Sequence, residues 1–349
     1  MTFRYPKATV IVLALLIAVM AIAAVFVVRR DRSAVAPKRI SSTPIKLVLD
    51  PWPGYVSVFV ARDKGFFEKN GVRVEIVMSE TGASSTEIYE SGQADGIFDV
   101  FSDTVRRNLQ GKPTTAVYAI DYSTTADVVV GRPGIAYPLG LKGKRIGYEG
   151  WGSFSHLFVS TILDRAGIAP TDVTFVDVPA LKILDALESG AIDVGHTWEP
   201  AQSDALSRGY VQYDDAGSYP GLIIDVLSFS VDAIETREAD IEAVVRALAE
   251  AAAYAERHPD EAIALSANAQ GMSEEDVRSG LAGIYLMNRR DNVDAFAYTT
   301  ELTSLHGVFR KMNAFFIAIG LTDALLDSTA FVDARFVRHL PENITASAE

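Results

Sequence analysis

From Ile45 onward the chain alternates between two hydrophobic rhythms. Short apolar runs such as IKLVLD, VRVEIV, KRIGYE and VTFVDV read as buried strands. Between them, in stretches such as VSVFVARDKGFFEKN and LFVSTILDRA, apolar positions recur every three or four residues, as on one face of a helix. Strands and helices in regular alternation predict an α/β fold on largely parallel sheets.

The alternation occurs twice, with matching parts. The first pass runs strand 45–50, loop PWPGY, helix, Gly71, strand VRVEIV, a helix ending YESG and strand ADGIF. The second runs strand 144–149, loop GWGSFSH, helix, Gly167, strand VTFVDV, helix ALKILDALESG and strand AIDVGH. Asp50 corresponds to Glu149, Gly71 to Gly167, and Glu90-Ser91-Gly92-x-x-Asp95 to Glu188-Ser189-Gly190-x-x-Asp193. Each of these glycines falls where a helix ends and a left-handed turn is wanted. Two lobes of like topology follow, residues 45–121 plus 226–340 forming lobe 1 and 122–225 lobe 2. TTAVYAID (114–121), TADVVVG (125–131) and LIIDVLSFSVD (222–232) are the natural crossings between them. Helices predicted at 236–257, 273–286 and 294–319 would pack around lobe 1, leaving 341–349 as a tail. The first of these stops at His258-Pro259.

Ahead of the body, residues 8–28 form an uncharged apolar run of 21. As a helix it would reach about 31 Å, enough to cross a bilayer core. Residues 1–30 are therefore expected to be a membrane anchor or signal segment, with 31–44 as a polar linker. The first 44 residues carry seven Lys/Arg and one acid, while 45–349 hold 25 Lys/Arg against 44 Asp/Glu. So acidic a body is repelled by phosphate backbones, which argues against nucleic acid as a partner. The chain has no cysteine, which excludes disulfides, thiolate metal sites and a thiol nucleophile.

In an open parallel sheet, ligands sit beyond the carboxyl ends of the strands. Four loops answer to that place: DPWPGY, IFDVFSD, YEGWGSFSH and GHTWEPAQ. The three tryptophans of the chain, Trp52, Trp151 and Trp198, all lie in them. An indole at a loop mouth offers a flat apolar wall and one donor, suited to clamping a small organic molecule. Gly152, Ser153 and Ser155 could donate to a ligand at a helix N-terminus, although a serine there also serves as a cap. Asp50, Asp99, Asp121, Glu149 and Glu199 come from the same loops or strand ends and favour an amine or other N–H donors. No reactive constellation accompanies them. GxSxG and HExxH are absent, and the five histidines lack metal-ligand spacing, so no catalytic residue, metal or cofactor is expected.

The ordered set of WPGY, KGFFEKNGVRVE, SGQADGIF, LKGKRIGYEGWGS and LESGAIDVGHTWEP resembles the nitrate/sulfonate/taurine group of ABC-importer substrate-binding proteins. That group has relatives that bind thiamine-pyrimidine precursors. The resemblance implies a type II periplasmic-binding fold, two α/β lobes joined by two strands and closing over a ligand. It implies wall residues Trp52, Pro53, Tyr55, Asp99, Ser153, Trp198 and Glu199. It further implies a monomer on the periplasmic side of a bacterial inner membrane, with permease and ATPase subunits as partners. The ligand would be sulfonate- or taurine-like, or pyrimidine- or amine-like. Two other readings stand beside it. One is a membrane-tethered ligand sensor without transport. The other is an enzyme of similar fold that builds the thiamine pyrimidine from its own histidine and a pyridoxal cofactor. That enzyme carries a cysteine-rich motif, and this chain has no cysteine.

Overall fold

The computed structural model describes residues 42–342 and 344. The expected anchor at 8–28 lies outside them. Among the described residues no helix is long and apolar enough to cross a membrane.

The first pass forms β1 (Ile45–Leu49), β2 (Val74–Met78) and β3 (Gly96–Val100), with β1 parallel to both of the others. After β4 (Thr114–Ser123) the chain starts a second sheet at β5 (Val128–Gly131). The second pass supplies β6 (Arg145–Tyr148), β7 (Thr174–Asp177) and β8 (Val194–Thr197), followed by β9 (Val211–Asp215). The chain returns to the first sheet as β10 (Ile224–Ser230) and later adds β11 (Ile284–Leu286). The sheet orders are β11-β4-β10-β3-β1-β2 and β7-β6-β8-β5-β9. Set side by side, β2-β1-β3 and β7-β6-β8 are the same motif. Each is followed by an antiparallel strand, β10 in one sheet and β5 in the other.

The inner strands β1, β3, β4, β5, β8 and β10 are buried almost throughout, which is why most of them read as near-continuous apolar runs. The helix Glu238–Arg257 lays its Ile241, Val244, Val245 and Leu248 face against the helix Val56–Asp63 of the first sheet. Gly71, Gly92, Gly167 and Gly190 all have positive φ, at 83°, 75°, 67° and 76°, as the repeated helix-end pattern requires.

Three departures from the periodicity have local causes. The first expected helix is two, Val56–Asp63 and Phe66–Lys69, because Gly65 turns left-handed between them and drops Phe66 and Phe67 into the core. The expected helix 273–286 ends at Ala282, and Ile284–Leu286 pairs with β4 instead. The expected helix 294–319 is Arg289–Ala295 followed, after a loop, by Leu305–Ala318.

Candidate functional site

The carboxyl ends of β1, β3, β6 and β8 face a common cavity of about 170 Å3. Trp52 enters from the β1 loop and Trp198 from the β8 loop. Their rings meet edge to face, 6.5 Å apart at 89°. Phe154, in the first turn of the helix Phe154–Arg165, lies 5.8 Å from Trp198 and extends the aromatic wall.

Trp52 is fixed from two sides. Its backbone N–H donates to Gln270 Oε1 at 2.7 Å, and its indole N–H donates to Asp121 Oδ2 at 3.2 Å. The indole can reach that carboxylate because residue 54 is glycine. A Cβ there would stand 2.0 Å from Asp121 Oδ2 and 2.6 Å from the indole nitrogen. Tyr55, one residue on, is buried and donates its hydroxyl to Asp225 Oδ1 at 2.8 Å.

The polar lining is dominated by acids. Asp99 accepts from Thr104 Oγ1 and from the buried Arg107, and Asp103 pairs with Arg106 at 3.0 Å. Glu149 Oε2 accepts from the Ala180 N–H at 2.7 Å. Burial pushes Asp50 up to about 7, its own backbone hydrogen bond opposing and the charges of Glu149, Asp99 and Asp103 adding to the rise. Burial also raises Asp99 in spite of Arg107, and Glu149 in spite of the Ala180 N–H. On the crossing strands, Asp121 and Asp225 are direct cross-strand partners. Burial pushes Asp121 up to about 8 against the pull of the Trp52 N–H, and burial plus the neighbouring Asp121 holds Asp225 well above the usual carboxyl range. A site that keeps carboxyl groups this close and this dry favours ligands that bring positive charge or N–H donors.

The structure brings Trp52, Tyr55, Asp99, Ser153 and Trp198 to the cavity lining. Asp50 and Glu149, also singled out in the sequence, line it too, whereas Pro53, Asp121, Trp151, Gly152, Ser155 and Glu199 lie outside that lining. Pro53 packs on Gly280, where a Cβ would be 2.4 Å from the proline ring. Asp121 sits behind Trp52. Trp151 is 50% exposed on the rim side of its loop. Gly152 donates its N–H to His156 Nδ1, and burial lowers that histidine to about 4. Ser153 also caps the helix Phe154–Arg165. Glu199 is taken up by Ser203, whose N–H and hydroxyl both donate to it. Ser155 is fully buried, accepts from the Glu149 N–H and contacts His196 Nδ1 at 2.8 Å.

Sequence reasoning missed Asp127 and Asp225 as lining residues and His196 behind them. Both acids interrupt apolar runs, TADVVVG and LIIDVLSFS. A lone acid inside a buried strand pattern was the available signal.

A family model described as "NMT1/THI5 like" matches residues 52–262. The chain belongs to the NMT1/THI5-like family. Among curated relatives it is 30% identical over 158 residues to a 4-amino-5-hydroxymethyl-2-methylpyrimidine phosphate synthase of Uromyces fabae, covering 45% of this chain and 46% of that protein. The chain thus spans less than half the length of that relative. Among solved structures it is similar to a ligand-binding component of an ABC-type import system from Staphylococcus aureus, with TM-score 0.69 and 12% identity over 86% of this chain and all of that one. It is also similar to the periplasmic aliphatic sulphonate binding protein SsuA from Escherichia coli, with TM-score 0.66 and 18% identity over 83% and 92%. The NMT1/THI5-like chain therefore has the periplasmic-binding-protein fold, two α/β sheets around a cleft. Among its described residues no group of three or more His, Asp or Glu is arranged to hold a metal ion.

Proposed function

We propose that this NMT1/THI5-like chain is the substrate-binding component of an ABC-type importer. It captures a small polar organic molecule between residues 45–121 plus 226–340 on one side and 122–225 on the other, and it alters no bond in it. The observation that carries this reading is the pair of indoles, Trp52 from the first sheet and Trp198 from the second, that meet edge to face in the wall of a cavity both sheets line. The acids of the lining favour the amine- or pyrimidine-like end of the ligand range over a sulfonate. On this reading residues 8–28 tether a monomer to the outer face of the membrane, where a permease collects the ligand.

An enzyme is the second reading, favoured by the synthase relatives. The lining residues do not suit it. They include no lysine or histidine, and their one cation, Arg106, is already paired with Asp103. A pyridoxal phosphate group needs an amine for its aldehyde and cations for its phosphate, so these residues do not fit it. Ser155, His196 and Asp127 do form a hydrogen-bonded chain, at 2.8 and 2.9 Å. However, the Ser155 hydroxyl is sealed from the cavity, so it cannot meet a substrate carbonyl.

The test is calorimetric titration of the full chain in detergent with amines, aminopyrimidines, sulfonates and carboxylates, followed by mass spectrometry of the recovered ligand. One ligand bound per chain and recovered unchanged is expected. Conversion of the bound compound would overturn the reading.

A further inference from the structure

We propose that the ligand is an organic cation, an amine, amidine or protonated amino-heterocycle, whose N–H groups are held by Asp127 and Asp225. This rests on the capture reading above and names its ligand class. The argument starts from which lining acids are already engaged. Asp99 is held by Arg107 and Thr104, Asp103 by Arg106, and Glu149 by the Ala180 N–H. Asp127 is different. It is 1% exposed, it lines the cavity, and its Oδ1 accepts from His196 Nε2 at 2.9 Å, while its Oδ2 is buried without a partner. The chain Glu149 N–H, Ser155 Oγ, His196, Asp127 fixes the orientation of that carboxylate.

Asp225 lines the same cavity at 4% exposure and has one oxygen held by Tyr55. Behind it stands Asp121, fully buried, whose Oδ1 also has no partner. Leaving a buried carboxyl oxygen unpaired is costly, and Asp127 and Asp121 each have one; burial, with repulsion from Asp127, also holds Asp121 and Asp225 protonated when no cation is present. A cation with two or more N–H donors removes both penalties at once. The indoles of Trp52 and Trp198, 6.5 Å apart, add the aromatic faces that attract an organic cation. A sulfonate brings acceptors and a negative charge, and so supplies no donor to the unpaired oxygens.

The experiment uses three probes of one shape: benzamidine (cationic), benzamide (neutral) and benzenesulfonate (anionic). Each is titrated calorimetrically into the full chain in detergent at pH 7.5. Benzamidine is expected to bind at least tenfold more tightly than benzamide, with no detectable heat from benzenesulfonate. Asp127→Asn and Asp225→Asn should each erase at least tenfold of the benzamidine affinity and change benzamide less than threefold. Equal or tighter binding of benzamide or benzenesulfonate overturns the cation assignment and leaves the capture function standing. So does unaltered selectivity in both variants, or no binding of any probe at millimolar concentration. If a variant fails to fold by circular dichroism, the selectivity series on the unmodified chain decides alone.

Discussion

At the scale of single residues, Trp52 does two jobs that substitutions can separate. Its ring faces Trp198, and its N–H satisfies the buried Asp121. Trp52→Phe keeps most of the ring and orphans the carboxylate, so it should cost about 1–3 kcal/mol of stability in a urea melt. Trp198→Phe should cost less, because the Trp198 indole N–H donates to no side chain or carbonyl among the described residues. Truncating both to alanine should weaken ligand binding at least tenfold, from about 1–3 kcal/mol of lost aromatic wall. Unchanged affinity in that double variant would remove the indoles from the site. Asp121 also makes a pH prediction. With its carboxyl at about 8 in the folded state, it keeps a proton that the unfolded chain releases near the ordinary carboxyl value. Unfolding therefore releases a proton between about pH 4 and 8, and the contribution of this group to stability falls as pH rises through that window. Asp127 enlarges the effect by repulsion, while hydrogen bonding to Trp52 and Asp225 opposes it. Asp121→Asn removes the proton exchange. Denaturant melts from pH 5 to 9 should show the variant gaining on the parent as pH rises, and a constant difference would refute the assignment.

At the scale of elements, the crossing from the first sheet to the second is pinned by a glycine far away in sequence. The Gly283 carbonyl accepts from the N–H groups of Thr124, Thr125 and Ala126, at 2.8, 2.9 and 3.1 Å, and from the Thr124 hydroxyl at 2.8 Å. A Cβ on Gly283 would lie 2.6 Å from Ala126 N. Gly283→Ala should therefore displace the crossing, costing about 1–3 kcal/mol by overpacking and weakening the ligand affinity measured by calorimetry. A variant with parental stability and affinity would show the pin to be dispensable. The same region marks the limit of sequence reading. Helical spacing continues from 273 through 286, and no local feature says that Ile284–Leu286 will prefer an open strand edge. That preference exists only once β4 is in place, so it is a tertiary effect. The aromatic loops were legible because glycine, proline and tryptophan cluster where strands end. Asp127 and Asp225 were not, because an acid within an apolar run is read against the strand until the opposing lobe supplies the cavity it faces.

At the scale of the whole molecule, the repeated pass explains why ligand capture should move the chain. Each sheet has the same three parallel strands, and their antiparallel neighbours, β5 and β10, lie at the two places where the polypeptide changes sheets. The crossing segments carry Asp127 and Asp225, so the groups proposed to hold the ligand sit where the chain passes between the two sheets. The indoles of Trp52 and Trp198 come from loops of opposite sheets. A ligand that contacts both therefore favours the arrangement in which the indoles meet, by as much as its affinity for that arrangement exceeds its affinity for an open one. The chain has no cysteine, so two can be introduced and labelled without background. Glu80 and Leu181 are exposed positions in the connections after β2 and β7, on opposite sheets. Spin labels at Glu80→Cys and Leu181→Cys should give a broad distance distribution without ligand. With saturating ligand a narrower and shorter one is expected, matching the geometry in which Trp52 and Trp198 touch. A distribution that ligand leaves unmoved would mean that the two sheets hold a fixed separation, and that the cavity fills without the lobes closing on it.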